Sequence, residues 1–584
     1  MKKAILNIIT ALGAVLMATS CMDLNPKAQM AADHTWSKAA NYSLFANQFY
    51  GWTRDFQGST SLTAMNGVSD GPHSDFRSDL LVGTSENVYN KGTNVIPTSD
   101  PNYGQMYKRI YYTNLLLKNA ESFEDKDDIA VPMGEAFFFR AYVYFDLVQI
   151  FGDVILVHEP VDLDNEKLYG KRDNRLDVIK ACVSDLQNAA QLLPETPAED
   201  GRLCKWTAYA LLSRVALYEG TWQKYHNNNL EEANLLLDEA AKAAEEVMKS
   251  GQYELFYSDD LGGRDSYRYM FILESVQCNP AGLTRADNRE YILAKRHDEV
   301  LKPIGLNITH ATASAMFPTR KLANMYRCQD GLPIDKSPQF KGYASVTSEF
   351  DNRDNRMNAV LLKHGQIYWN NDGKWRTEWT DADNATSLVA SVFGNTGYST
   401  YKWATERQVA DASEGYDYPV IRYAEVLLNY AEAVYELNGK ITDTQLDESL
   451  NLVRKRSNPN MKPLSNSLVE ANGLDMLEEI RAERTVELFN EGFRIDDLKR
   501  WKTAEKEMPG NRIGILWRGT GFETAWADQA NMLDADGCVI KYSDCVWDAR
   551  NYLYPLPSDE LQLNPQLGQN KGWAAGSYRN FSPH

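Results

Sequence analysis

Acidic and basic residues alternate at helical spacing over Glu483, Arg484, Glu487, Glu491 and Arg494. Two carboxylates set across a glycosidic bond, one with a raised pKa, could hydrolyse a sugar polymer. Glu487 and Glu491, however, have arginines three or seven positions away, which would hold their pKa values low. The pattern fits an ion-pair lattice locking a C-terminal helix to the fold better than a catalytic pair. The eight histidines are scattered, without His-Glu-x-x-His or comparable ligand spacing. Gly519-Thr520-Gly521 lacks the third glycine and the preceding strand of a dinucleotide loop. Asp534-Ala535-Asp536-Gly537 lacks the remaining ligands of a calcium loop and reads as a tight turn. No Gly-x-Ser-x-Gly elbow occurs. The expectation is a protein without catalytic residues, cofactor or metal site.

Binding chemistry is better represented. Trp369, Trp375 and Trp379 fall within eleven residues, among Tyr368, Asn370, Asn371, Asp372, Lys374 and Arg376. A pyranose packs its C–H face on a flat ring while its hydroxyls seek Asn, Asp, Arg or His in the plane of that ring. This cluster has the composition of a sugar platform, although one or two of its rings could instead anchor the loop.

The N-terminus carries a different kind of signal. Lys2 and Lys3 precede an apolar run from Ala4 to Met17, and small residues Ala18, Thr19 and Ser20 lead to Cys21. A basic start, a run too short to span a bilayer and a small-residue cleavage site make a secretory signal over residues 1–20. Cysteine at the next position resembles a bacterial lipobox, with Ala18 where leucine is commonest, and makes Cys21 the candidate lipidation site. Multiple acyl chains there would anchor the chain stably without a membrane-spanning helix.

Net charge is −19, from 61 basic and 80 acidic side chains, with no basic run after the leader. That balance argues against nucleic acid as a partner. The six later cysteines form no Cys-x-x-Cys pair, so a zinc ribbon is not expected. Cys538 and Cys545 could staple a short loop or remain buried thiols. With 13 Trp, 32 Tyr and 20 Phe the chain is rich in rings, many of them in polar surroundings.

The elements that must carry these residues are helical. Phe137, Ala141, Tyr144, Phe145, Val148 and Phe151 recur at i, i+4, i+7, i+8, with Gly152 as a stop. Residues 176–193, 206–217 and 233–247 repeat the rhythm, with stops expected at Pro194, Gly220 and near Gly251. Pro419 is expected to open a helix closed by Asn438-Gly439, and residues 442–457 to form its hairpin partner. Consecutive helices with alanine on the contact face suggest pairs like tetratricopeptide units. Between them, residues 58–102, 278–317 and 364–414 lack clean periodicity, and loops this long in a compact protein usually carry function. They hold further rings, including Tyr89, Tyr103, Tyr398, Tyr401 and Trp403.

Several segments, in order, resemble the SusD/RagB family of outer-membrane nutrient-binding lipoproteins. They are Glu135-Ala136-Phe137-Phe138-Phe139-Arg140-Ala141-Tyr142 with Phe151-Gly152-Asp153-Val154, and Tyr418-Pro419-Val420-Ile421-Arg422-Tyr423-Ala424-Glu425. Next come Ile480-Arg481-Ala482-Glu483-Arg484 through Asp497-Leu498-Lys499-Arg500-Trp501, and Tyr554-Pro555-Leu556-Pro557 to Gln569-Asn570. Arg353-Asp354-Asn355-Arg356 is a further marker, with Asn355 where proline is usual.

The resemblance implies a mostly α fold with helix-turn-helix pairs, divided at residues 21–340 and 341–584 but packed as one unit. It implies an outer-membrane location through the lipid anchor and exposure at the cell surface. It implies capture of an oligosaccharide, or in some members a peptide, for delivery to a SusC-like TonB-dependent transporter. A surface glycosidase is the less favoured alternative. By the same resemblance Asn102 and Tyr103 stand where a ring meets sugar before a helix, with tyrosine in place of the commoner tryptophan. Asp70 matches an acid of the early loop, and His310 and Tyr291 are what the 281–315 loop offers. The binding set is thus Asp70, Asn102, Tyr103, His310, Tyr368, Trp369, Trp375, Arg376 and Trp379.

Overall fold

The computed structural model of this protein describes residues 35–56, 71–162, 165–306, 308–309, 315–363, 395–405, 407, 409–410, 412–525 and 532–573. The architecture is mostly helical, with three two-stranded antiparallel ribbons among the described residues. Successive helices Pro101–Ala120, Ala130–Phe151, Arg175–Leu192, Lys205–Trp222 and Leu230–Lys249 each pack against the next. Tyr423–Asn438 then packs on Leu230–Lys249 and Lys205–Trp222, bringing the C-terminal half onto the same stack. One contiguous apolar core runs through both halves. No described helix is long and apolar enough to cross a membrane.

Ala130–Phe151 is buried on nearly every side, yet it carries charge in its middle. Arg140 donates to Asp185 at 2.6 Å and to Asn114 at 2.8 Å, while Asp146 accepts from Arg54 at 2.9 Å. Each buried charge has a partner, which is what permits it inside a core helix. The helix stops at Gly152, whose φ of 75° suits glycine and where a Cβ would meet Leu553 at 2.7 Å. Gly220 is no stop: the helix continues to Trp222, and the missing side chain lets Leu237 of the next helix approach. The actual exit is a π-turn over Gln223–Asn227 closed by left-handed Asn228.

The C-terminal hairpin also differs from expectation. Pro419 lies in an extended segment, Tyr418–Arg422, and the helix begins only at Tyr423. Proline holds the preceding residue extended and lacks a donor, so it fits a ribbon edge as well as a helix start. Its partner strand is Tyr291–Lys295, in register Tyr291 with Arg422 and Lys295 with Tyr418. Residues 442–457 form two helices, Asp443–Asp447 and Leu450–Ser457. Ser449, whose hydroxyl donates to Gln445 O at 2.6 Å, sits at the break.

Cys538 and Cys545 are the two ends of a single strand, Cys538–Cys545, paired with Gly510–Leu516. Seven extended steps put them about 23 Å apart, far beyond the reach of a disulfide. Both are buried free thiols, so the stapled loop is excluded.

The expected single helical run over 483–494 is broken: Met476–Glu487 carries Glu483 and Glu487, a turn with left-handed Asn490 and Gly492 carries Glu491, and Arg494 opens the next helix. These acids do form a lattice, though not with the arginines beside them in sequence. Glu487 accepts from Arg356 at 2.8 Å, from Arg422 at 2.7 Å and from Arg456. Glu483 accepts from Arg356 and Arg454, and Glu491 from Arg422 and Lys402. Arg484 turns to Asp497 at 2.8 Å and Arg494 to Asp79 at 2.8 Å. Arg422 and Arg456 also meet Glu290, which ties the ribbon, the hairpin and the terminal helix at one buried point. Arg456, Arg422 and Arg356 hold the Glu487 carboxyl far below the usual range despite its burial.

Candidate ligand-binding site

Two of the sequence-derived binding residues lie in the described structure. Asp100 caps the Pro101–Ala120 helix by accepting from the Asn102 N–H at 2.8 Å, and Pro101 fills the first helical position. Asn102 is half-buried, and its side-chain oxygen is screened from solvent with no hydrogen-bond donor among the described residues. Tyr103 is only 4 % exposed. Its ring meets Phe151 edge-on at 5.1 Å and leans on Tyr107 at 5.1 Å, and burial pushes its hydroxyl up to about 12. The ring is a core plug for the end of Ala130–Phe151, so the reading of Tyr103 as an open stacking face is corrected. Its neighbourhood is built by the C-terminal segment: Arg172 donates to Asn570 Oδ1 at 2.7 Å and to Leu567 O at 2.8 Å.

The other described loop rings are also inward. Tyr89 stacks on Tyr554 at 5.2 Å with the Arg77 guanidinium 3.6 Å above it. Tyr398 and Tyr401 are buried, as is Tyr291's hydroxyl partner, the Met270 carbonyl. Trp403 is 1 % exposed and stands at φ 74°, a conformation that a bulky side chain adopts only when its surroundings impose it. Asp70, His310, Tyr368, Trp369, Trp375, Arg376, Trp379 and the lipidation candidate Cys21 lie outside the described residues.

What the described structure does place are the roots of the segments that carry them. Phe56, which precedes the Asp70 segment, meets Trp403 at 5.0 Å, Tyr418 at 5.0 Å and Tyr416 at 5.8 Å, all edge-on. On the far side of that segment, Asp75 accepts from the Gly492 N–H at 2.8 Å. Two residues earlier in the chain, Asn490 offers its carbonyl to the Trp403 indole N–H at 3.3 Å. Thr309, beside His310, donates to Glu414 at 2.8 Å, and Thr405 donates to the Thr309 hydroxyl at 3.4 Å. The Trp369 segment is clamped at both flanks: Leu362 donates to Ser399 O at 2.9 Å and Thr400 to Met316 O at 3.2 Å. Phe56, Thr309, Met316, Leu362, Asp75 and Trp403 therefore form one platform from which three candidate segments leave. The sequence signal for this platform is ring density in polar surroundings.

The acids near this platform are structural. Glu491 is engaged by Arg422 and Lys402, whose ammonium burial pulls down to about 8. Asp75 is driven up to about 7 by burial, which outweighs the Gly492 and Arg494 N–H groups and the Lys402 charge opposing it. His73 is fully buried between Asp496 and Asp146. No group of three or more potential metal ligands occurs among the described residues.

A model of the SusD family matches residues 278–573, just over half of the chain. The chain belongs to the SusD family. A second model, described as starch-binding and associating with the outer membrane, matches residues 73–217. SusD-like protein P2 of Formosa agariphila is 25% identical over 481 residues, 80% of this chain and 79% of that protein. Among solved structures, a SusD-like carbohydrate-binding protein of Bacteroides fragilis superposes with TM-score 0.69 at 23% identity, covering 91% of this chain and all of that one. Surface glycan-binding protein A from Bacteroides fluxus superposes with TM-score 0.58 at 18% identity, over 92% of this chain and 100% of that one. At such identities the superpositions establish the shared fold.

Proposed function

We propose that this SusD-family chain is a cell-surface receptor that binds an oligosaccharide without cleaving it and passes it to a TonB-dependent transporter. The observation carrying this reading is the shared platform around Trp403, from which the segments of Asp70, His310 and Trp369–Trp379 depart. The described flanks of the three segments meet around Trp403, and the longest segment has the ring-and-amide composition a sugar requires. Asn102, half-buried at the start of the Pro101–Ala120 helix, is a further candidate contact. Glu487 is held ionised by three guanidinium groups, which suits a lattice and not general acid catalysis. Anchoring at Cys21 is supported by the leader sequence, and an outer-membrane location by the description of the second matching family model. Stacked rings give modest affinity, which several receptors in one membrane raise through effective concentration.

The reading is tested by incubating the purified protein with a panel of glycans and peptides. Retardation by a glycan without new reducing ends supports it; new reducing ends indicate a hydrolase, and preferential peptide capture indicates a peptide receptor. Trp369→Ala and Trp375→Ala should abolish glycan retardation while leaving thermal unfolding nearly unchanged.

A further inference from the structure

A cavity of about 380 Å³ is lined in part by Tyr291, Ile292 and Ala294 of the ribbon formed by Tyr291–Lys295 and Tyr418–Arg422. It is at the small end of the usual range for ligand pockets, about 300–1,000 Å³. Arg202 on its wall pairs with Glu135 at 3.0 Å. Glu135 lies sixteen residues, or about 24 Å of helix, from the Phe151 that holds Tyr103. The cavity is thus remote from the Asn102–Tyr103 end of the stack.

Its lining divides into two chemistries. The floor is apolar and aromatic, with Tyr253, Tyr291, Met270 and Leu273. The rim carries four guanidinium groups, those of Arg202, Arg285, Arg289 and Arg296. Three acids, Glu195, Asp200 and Asp417, share the lining with these four arginines.

How these arginines are engaged decides what the cavity can do. Arg285 donates to the His297 carbonyl at 2.6 Å and faces buried Asp417 at 3.6 Å, so it is held in place. Arg296 reaches Asp417 at 3.2 Å and Asp200 at 2.7 Å, and Asp200 is 81 % exposed. Arg289 pairs with Glu254, where both side chains are more than half exposed. Exposed pairs of this kind contribute about 0–1 kcal/mol, so Arg289 can exchange Glu254, and Arg296 can exchange Asp200 while keeping buried Asp417, for a ligand anion at little cost. Burying that anion beside two or more guanidinium groups gains charge-assisted, bidentate hydrogen bonds.

We infer that this cavity is a second ligand subsite selective for an anionic group carried on a sugar, with the ring on the tyrosine floor and the anion at the arginine rim. The inference rests on the proposed glycan-receptor function and specifies its ligand class. Carboxylate and sulfate share the chemistry the rim recognises.

The test is ligand-detected NMR titration of the full chain with methyl β-glucuronide, glucose 6-sulfate, methyl β-glucoside and the dipeptide Ala-Asp. The charged sugars should bind, the uncharged glucoside should not compete with them, and the two anions rank carboxylate against sulfate. Arg289→Gln with Arg296→Gln should weaken the charged sugars at least about tenfold, the equivalent of one charged hydrogen bond. Trp369→Ala should leave them unchanged. Arg289→Glu alone, at an exposed position, provides a second variant whose thermal unfolding should match the parent. Equal binding of glucuronide and glucoside, indifference to the arginine changes, or preference for Ala-Asp would overturn the subsite. If polymeric glycans still bind in a Trp369-dependent way, the receptor reading survives that failure; if no saccharide binds the parent protein, both fall.

Discussion

Arg356, Arg422 and Arg456 are almost wholly buried and share Glu290, Glu483, Glu487 and Glu491 among them. Arg289 and Arg296, at 51 % and 39 % exposure, each face a carboxylate that is itself open to water, although Arg296 also holds buried Asp417. The side chain is the same in both regions, and burial sets its role. In the lattice every guanidinium is committed, because removing one partner strands a charge in a medium that cannot solvate it. At the cavity rim water already screens the pairs, so the charge stays available to something that arrives. Structure is held by the first kind of arginine and ligand selectivity is offered by the second.

The largest effect that would break this contrast is global. Arg500 holds Glu432 down to about 2, and His73 and Lys499 hold Asp496 down to about 2. A carboxylate whose folded pKa lies below its unfolded value stabilises the fold fully above the unfolded pKa and loses that contribution as pH falls to the folded one. Acid unfolding should therefore develop between about pH 4.5 and pH 2, monitored by far-UV circular dichroism. Asp75, driven up to about 7, works the other way: its contribution is fullest below about pH 4 and declines as pH rises to 7. A chain that remained fully folded at pH 2 would show that the lattice is not what holds the halves together.

Next in size is Glu487→Ala, which strands three guanidinium groups and should cost about 3–5 kcal/mol in denaturant unfolding. Tyr103→Ala should cost about 3–5 kcal/mol by opening a cavity beside Phe151, while Tyr103→Phe stays below about 1.5 kcal/mol. Loss of glycan retardation without loss of stability in Tyr103→Ala would mean the ring serves ligand after all. Smallest, Arg289→Gln should shift stability by no more than about 0.5 kcal/mol. A large destabilisation there would place Arg289 with the lattice and erase the distinction.

The helices were legible because a 3.6-residue rhythm needs only local sequence, and Ala130–Phe151 and Arg175–Leu192 match their apolar spacing closely. Local punctuation was less faithful. Gly220 looked like a stop and is a contact, and Pro419 looked like a helix start and lies in a ribbon, since both residues suit either role. The lattice acids were visible in sequence but their partners were not. Arg356, Arg422 and Arg456 come from three separate elements, and only the fold brings them to Glu487. For the same reason the rim arginines passed unnoticed: no spacing rule links Arg202 to Arg285, Arg289 and Arg296. Asn102 and Tyr103 open the Pro101–Ala120 helix, and the burial of the Tyr103 ring is not legible beforehand, because sequence shows a ring without showing which side is covered.

The central claim is that this chain holds a saccharide and leaves it intact. Native electrophoresis through gels containing a wide range of neutral and acidic polysaccharides, with reducing ends assayed in each lane, tests it most directly. The account expects retardation by at least one polysaccharide and no new reducing ends. Unretarded migration in every gel, or retardation accompanied by chain cleavage, would contradict it.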